Sequence, residues 1–138
     1  MEFEEVVATY KALADANRLR IVNALAHRPA CGCELVYALG LSQPNLSRHL
    51  RILITAGLVR PRREGKWMEY HLAPGAAASL ITWLRRTAGN TAQLTSDVKA
   101  LAQADRGYLC GTGVTNKIVK ARGRRRPAAI IGRANRRG

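Results

Sequence analysis

The chain has 138 residues, 47% of them hydrophobic, with 23 Lys/Arg against nine Asp/Glu and a formal net charge of +14. That length suits one domain with a tail, and the apolar fraction excludes a bare polycation. The charge calls for a polyanionic partner, of which nucleic acid is the commonest.

No apolar run approaches the ~18–20 residues that cross a bilayer. The start, Met1-Glu2-Phe3-Glu4-Glu5, lacks the basic and apolar stretches of a secretory signal. The expectation is a cytoplasmic protein without a membrane partner. There Cys31, Cys33 and Cys110 stay thiols or metal ligands rather than a disulfide framework.

The charge is unevenly spread. Residues 1–105 hold thirteen Lys/Arg and all nine acids, a balance of +4, whereas residues 106–138 hold ten Lys/Arg and no acid. The chain therefore divides into a folded domain, 1–105, and a Gly/Arg-rich tail, 106–138. By composition the tail is disordered and clings to phosphates without choosing a sequence. A minor-groove arm is the sharper alternative.

Phe3, Val6, Val7, Tyr10 and Leu13 recur at helical spacing, so Glu2 to about Ala14 reads as an amphipathic helix with acids in its first turn. Asp15 caps a second helix carrying Leu19, Ile21, Val22 and Leu25, which stops near Pro29. Ala30 to Gly40 reads as a short third helix with Leu35, Val36 and Leu39 inward and Gly40 as its stop. After the tight turn Gly40-Leu41, Ser42 caps a fourth helix with Pro44 in its first turn. Leu46, Leu50, Leu53 and Ile54 make its apolar stripe, and Gln43, Asn45, Ser47, Arg48 and Arg51 its polar face.

Two helices joined by a tight turn, the second with this division of faces, describe a helix-turn-helix. Gln and Asn can pair with adenine, and Arg with guanine, in a major groove. An ordinary solvated face is the alternative.

Leu58 to Arg63 reads as a strand, Glu64-Gly65 as a turn, and Lys66 to Leu72 as a second strand in which Met68, Tyr70 and Leu72 alternate. The hairpin tip carries Arg62, Arg63 and Lys66, a wing suited to the flanking backbone. Pro74-Gly75 opens a last long helix with Leu80, Ile81, Leu84, Leu94, Val98 and Leu101 on one face, bent or split at Gly89-Asn90. The first and last helices lack obvious partners in so small a domain, which points to a dimer interface; packing within one chain is the alternative. The fold class is thus mainly α with a small β-hairpin.

Ala12-Leu13-Ala14-Asp15-Ala16-Asn17-Arg18-Leu19-Arg20-Ile21 resembles the opening of the ArsR/SmtB family of winged helix-turn-helix repressors. Leu41-Ser42-Gln43-Pro44-Asn45-Leu46-Ser47-Arg48-His49-Leu50 is similar to its recognition helix. Ala56-Gly57-Leu58-Val59 and Arg63-Glu64-Gly65-Lys66-Trp67-Met68-Glu69-Tyr70 match its wing. The match runs from about residue 3 to 102, and nothing after Asp105 has a counterpart. The resemblance implies a homodimer joined by the first and last helices. It implies a repressor that occupies an inverted-repeat DNA operator and leaves it when an inducer, usually a toxic metal or metalloid ion, binds. Ser42 and His49 join the candidate DNA contacts; His49 could face phosphate or hydrogen-bond within the domain.

In the family's arsenic-sensing branch the third helix opens with Cys-x-Cys and a further Cys three residues on. Cys31 and Cys33 match the first two, while Val36 stands at the third position. As(III), or Sb(III), is thiophilic and takes soft donors, and a helix N-terminus favours thiolate. Sulfurs at i and i+2 cannot both face one ion from a regular helix, so binding distorts the helix start, which abuts the recognition helix. Cys110 is the candidate third ligand; a solvent thiol, or none, with Cys110 inert, are the alternatives. No organic cofactor is expected.

Residues 1–14 hold no Cys for a cadmium or lead site of the family's kind. Residues 75–105 hold no His, and only Asp97 and Asp105, for a zinc site. His27 and His71 read as surface or packing residues. Two other functions compete: a thiol redox switch at Cys31 and Cys33, and a non-sensing basic nucleic-acid-binding protein. An enzyme is not expected, since no Ser/His/acid set, phosphate loop or zinc-hydrolase motif is found.

Overall fold

The computed structural model describes residues 2–75 and 78–111, with side chains through Leu109. The elements are α1 (Phe3–Leu13), α2 (Ala16–His27), β1 (Ala30–Cys31), α3 (Gly32–Leu39), α4 (Gln43–Thr55), β2 (Val59–Glu64), β3 (Trp67–Leu72), α5 (Ala78–Ala88), α6 (Ala92–Ala102) and α7 (Arg106–Gly111). The three strands form one antiparallel sheet in the order β1-β3-β2. This is the expected winged helix-turn-helix.

Local chemistry accounts for the helix boundaries. Asp15 accepts the Arg18 N–H at 3.1 Å and starts α2, and Ser42 accepts the Asn45 N–H at 3.2 Å and starts α4. Gly40 ends α3 with φ 69°, a conformation that costs glycine nothing and turns the chain sharply into α4. The buried Leu41 pins that turn to the core. Ile21, Val22, Leu35, Leu39, Leu46, Leu53, Leu58 and Leu101 form the centre of the core, with Ile54, Tyr70 and Leu72 packed against it. Met68, on the same face of β3 as Tyr70 and Leu72, is exposed because the hairpin extends past the core at that point.

Several elements depart from the sequence expectation. Ala30-Cys31 is a strand rather than a helix start; it pairs with β3, Ala30 opposite Tyr70 and Cys31 opposite Glu69. The hairpin turn falls on Gly65-Lys66, one residue later than expected, with Gly65 at φ 60°. The split of the last helix at Gly89-Asn90 into α5 and α6 is as expected, but α6 packs on α2 and α3 within the chain, which leaves α5 as the exposed half. The division at residue 105 is drawn too early: α7 continues the packing, with Leu109 buried and Arg106 bonded to Glu34 and Glu69. The arginine-rich remainder of the expected tail lies outside the described residues.

One ion pair holds α6 in place. Arg20 meets Asp97 through two parallel hydrogen bonds, Nε–Oδ2 at 2.8 Å and Nη2–Oδ1 at 2.9 Å, with Asp97 fully buried. The remaining donors and acceptors are also satisfied: Nη2 reaches the Leu39 carbonyl at 2.7 Å, Nη1 reaches Asn17 Oδ1, and Gln93 donates to Asp97. The pair therefore joins α2, α6 and the last carbonyl of α3 before the turn. Removing one partner strands the other charge in the interior. We expect Asp97→Ala to destabilise the fold by about 3–5 kcal/mol in urea unfolding, far more than an exposed change such as Lys99→Ala.

The seat of α4 has its own polar contact. His49 is buried on the inner side of α4, and its Nδ1 accepts from Arg18 Nη1 at 3.2 Å. Arg18 Nε also donates to the Ala12 carbonyl at 2.6 Å, so one guanidinium ties α1, α2 and α4 together. Burial lowers the His49 pKa; Asp15 opposes this, and Arg18 and Arg48 lower it further. The neutral ring is therefore the folded form, and the unfolded chain binds more protons below pH 6.5. Stability is fully present above that value and falls as the pH drops through the folded pKa. His27, also lowered, adds a dependence of the same sign. We expect His49→Asn, which keeps an acceptor for Arg18, to flatten the fall in unfolding free energy between about pH 7 and 5 without abolishing it.

Candidate nucleic-acid interface and thiol site

Ser42, Gln43, Ser47, Arg48 and Arg51 are exposed along one side of α4, and Asn45 is partly exposed. Arg48 donates to Asn45 Oδ1, which holds two candidate base readers as one unit. Ser42 spends its acceptor on the helix cap and keeps its hydroxyl proton free to donate. His49 is the exception among the expected DNA contacts. At 6% exposure and bonded to Arg18, it seats the helix and does not face a groove.

The wing brings Arg62, Arg63 and Lys66 to the hairpin end, all exposed. Arg62 lies 3.3 Å from Glu64 and bonds the His71 ring, so part of its charge is already paired. Lys66 lies 5.3 Å from the centre of the Trp67 ring. His71 also contacts Glu69 Oε1 at 2.8 Å, and Glu64, Glu69 and His71 form the single three-donor cluster found among the described residues. These groups satisfy one another.

The thiols sit where the sheet meets α3. Cys31 is 2% exposed, closes β1 and stands at the N-cap of α3; Cys33 is half-buried in the first turn. The pair therefore does not sit on a regular helix as expected, since Cys31 has extended backbone. Glu34 reaches back to accept the Cys31 N–H at 2.9 Å. Position 32, between the two cysteines, lies against the recognition helix: a Cβ there would stand 3.9 Å from Gln43 Nε2.

Sequence reasoning missed the residues that organise this junction. Arg106 of α7 bonds Glu34 at 3.0 Å and Glu69 at 2.7 Å, and its guanidinium lies 5.6 Å from the Trp67 ring centre. Arg28 adds a second cation to Glu34 at 3.0 Å. Burial works against the Glu34 charge, but the Cys31 N–H and the two arginines outweigh it and hold its pKa below the ordinary value. Burial likewise opposes the Arg106 charge, and Glu69, Glu34 and Cys31 together push its pKa up. The Tyr70 phenol is raised by burial and then by Cys31. Glu34 had one legible signal, its place three residues after a helix cap; Arg106 had none. Cys110 lies in α7, one turn after Arg106, and its side chain is outside the described residues.

An apolar groove of 290 Å³ runs between α1 and α5, lined by residues that include Tyr10, Leu13, Val22, Leu80 and Leu84. Beside it Phe3, Tyr10 and Trp83 are more than half exposed. Apolar surface is thus uncovered on α1 and on α5, the first half of the expected last helix. Among the described residues no helix is long and apolar enough to cross a membrane.

Residues 15–60, from the α2 cap into the wing, match the model of the bacterial regulatory protein, arsR family. The chain is 44% identical over 75 residues to the arsenical resistance operon repressor of Escherichia coli, covering 54% of this chain and 64% of that protein, under two thirds of its length. It is 38% identical over 88 residues to the arsenic resistance transcriptional regulator ArsR2 of Pseudomonas putida, covering 63% of this chain and 73% of the relative. Among solved structures it is similar to a homodimeric winged helix-turn-helix DNA-binding domain from Mycobacterium bovis, a possible ArsR-family transcriptional regulator. There the TM-score is 0.57 and the identity 32%, over 62% of this chain and 79% of that one. With this recognition helix, wing and thiol-bearing junction, the chain belongs to the arsR family of bacterial regulatory proteins.

Proposed function

We propose that this protein is a cytoplasmic transcriptional repressor that occupies an inverted-repeat operator as a homodimer and is released by As(III). Cys31 and Cys33 supply two thiolates and Cys110 the third. The observation that carries this reading is that the thiol segment pairs with the wing strand and adjoins the start of α4. Position 32 lies against Gln43, and Cys31 pairs with Glu69 in the wing strand. The exposed apolar surface of α1 and α5 supports the dimer.

The chemistry fits soft, three-coordinate arsenic. Arsenous acid loses three hydroxides, three thiols lose their protons, and three waters leave as three As–S bonds form. On this reading Cys31, buried at the end of β1, leaves its place in the strand to share the ion with Cys33. That movement breaks its pairing with β3 and the Glu34 bond, and it shifts Gly32, which lies beside Gln43. Arg106 brings α7, and with it the backbone of Cys110, to the same junction. In the DNA complex Gln43, Asn45, Ser47, Arg48 and Arg51 read base edges, while Ser42, Arg62, Arg63 and Lys66 hold phosphates.

Two measurements check this. Arsenite added to the operator complex under reducing conditions should release wild-type protein, while Cys31→Ser and Cys33→Ser stay bound and Cys110→Ser needs more arsenite. Normal release by all three variants overturns the thiol site, and release by peroxide but not arsenite favours a redox switch. On the DNA side, Arg48→Ala should cost about 1–3 kcal/mol and relax base preference at one position. Arg63→Ala should weaken all sequences alike and reduce the log–log salt slope by about 1.

A further inference from the structure

A second cavity, of 530 Å³, opens between α2 and α5 and is lined by none of the cysteines. Asn23 and His27, one turn apart on α2, face Thr82, Arg85 and Arg86 of α5, with Asn90 in the following loop. Asn23 is 1% exposed, and neither its Oδ1 nor its Nδ2 has a hydrogen-bond partner. No other buried side chain among the described residues is left so. A primary amide in that state needs both a donor and an acceptor.

The two arginines have no ion-pair partner among the described residues, and no carboxylate lines the cavity. Cations at the last turn of α5 suit the helix dipole, which accounts for the arginines but leaves Asn23 unexplained. His27 adds no charge to the site, because burial and Arg85 hold its pKa below the ordinary value.

The geometry points to a binding site for a small phosphate monoester. The phosphate would be clamped by Arg85 and Arg86, and its hydroxyl-bearing portion would supply the donor and acceptor that Asn23 lacks. Guanidinium pairs match phosphate oxygens in parallel hydrogen bonds. The cavity falls within the ~300–1,000 Å³ typical of small organic ligands, so it has room for more than a bare ion. A hydroxycarboxylate shares part of this chemistry, and the experiment separates the two. The site is independent of the thiols and of DNA.

The test uses the full chain, reduced and without DNA, with chloride holding ionic strength constant. Glycerol phosphate, inorganic phosphate, tartrate and glycerol are titrated while thermal unfolding and heats of binding are recorded. We expect glycerol phosphate to raise Tm saturably, inorganic phosphate to do so more weakly, and tartrate and glycerol to do little. Arg85→Gln and Arg86→Gln should each weaken binding at least tenfold, whereas the exposed Arg51→Gln should not. The near-isosteric Asn23→Leu should raise the Tm of the ligand-free protein and remove the response, because it deletes an unpaired buried amide. The proposal is overturned by the absence of a saturable shift, by tartrate acting alone, by Arg51→Gln matching Arg85→Gln, or by Asn23→Leu lowering Tm with the response intact. If Asn23→Leu does not fold, the two arginine variants decide.

Discussion

The structure depends on the burial of one charge pair. Arg20 and Asp97 are 77 residues apart in the chain and joined through two hydrogen bonds in the interior. Bringing both out of water is costly, and the cost is recovered only where every remaining donor and acceptor is met. Here Asn17, Gln93 and the Leu39 carbonyl meet them. That last contact matters most for function. Leu39 is the final residue of α3, so the guanidinium that holds α6 also fixes the point from which Gly40 and Leu41 launch α4. The placement of the recognition helix thus rests on Asp97, a residue far along the chain from it. An apolar pair could fill the same space, but it would leave the Leu39 carbonyl without this donor.

A second polar junction, around Glu34, joins the parts that must move together. Its carboxylate bonds the Cys31 N–H, Arg28 and Arg106, while Arg106 also grips Glu69 in the wing. The junction thus sets two cations, Arg28 and Arg106, against two carboxylates, Glu34 and Glu69, and its charges balance. Opening it removes a partner from Glu34 and loosens β1, the strand that the wing shares with the thiol segment.

The helices were legible because their apolar residues recur at helical period and their caps are chemically explicit: Asp15, Ser42 and Gly40 mark boundaries without tertiary help. The two-residue strand β1 was not, since it exists only through its pairing with β3, and partners as distant as Tyr70 for Ala30 and Glu69 for Cys31 leave no local pattern. The recognition motif leaves His49 open between facing phosphate and hydrogen-bonding within the domain; the structure takes the second, because the 3.6-residue period turns it inward beside Leu46, Leu50 and Leu53. The boundary at 105 failed for a different reason. Composition separates acid-free from acid-bearing chain, and Arg106 belongs by composition to the tail and by its bonds to the domain. The thiol pair was legible from its motif; the burial of Cys31 and its pairing with the wing strand were not. Asp97 counted only as a possible zinc ligand, whereas its carboxylate is fully engaged by Arg20 and Gln93.

The burial of Cys31 sets the direction of any coupling on the proposed reading. A ligand shifts an equilibrium only by its differential affinity for the two states. Arsenic bound through Cys31 requires β1 to open, whereas the closed β1 supports the wing and the start of α4. The two ligands therefore prefer different states of one small element, and no long pathway has to be invoked between them. Linkage then makes the effect reciprocal: the factor by which arsenite weakens operator binding is the factor by which the operator weakens arsenite binding. With each ~1.4 kcal/mol worth tenfold, losing the strand pairing and the bonds at Glu34, even at modest net values, is enough to change occupancy by orders of magnitude. A cysteine pair on an exposed loop would bind arsenic more readily and would have nothing to transmit.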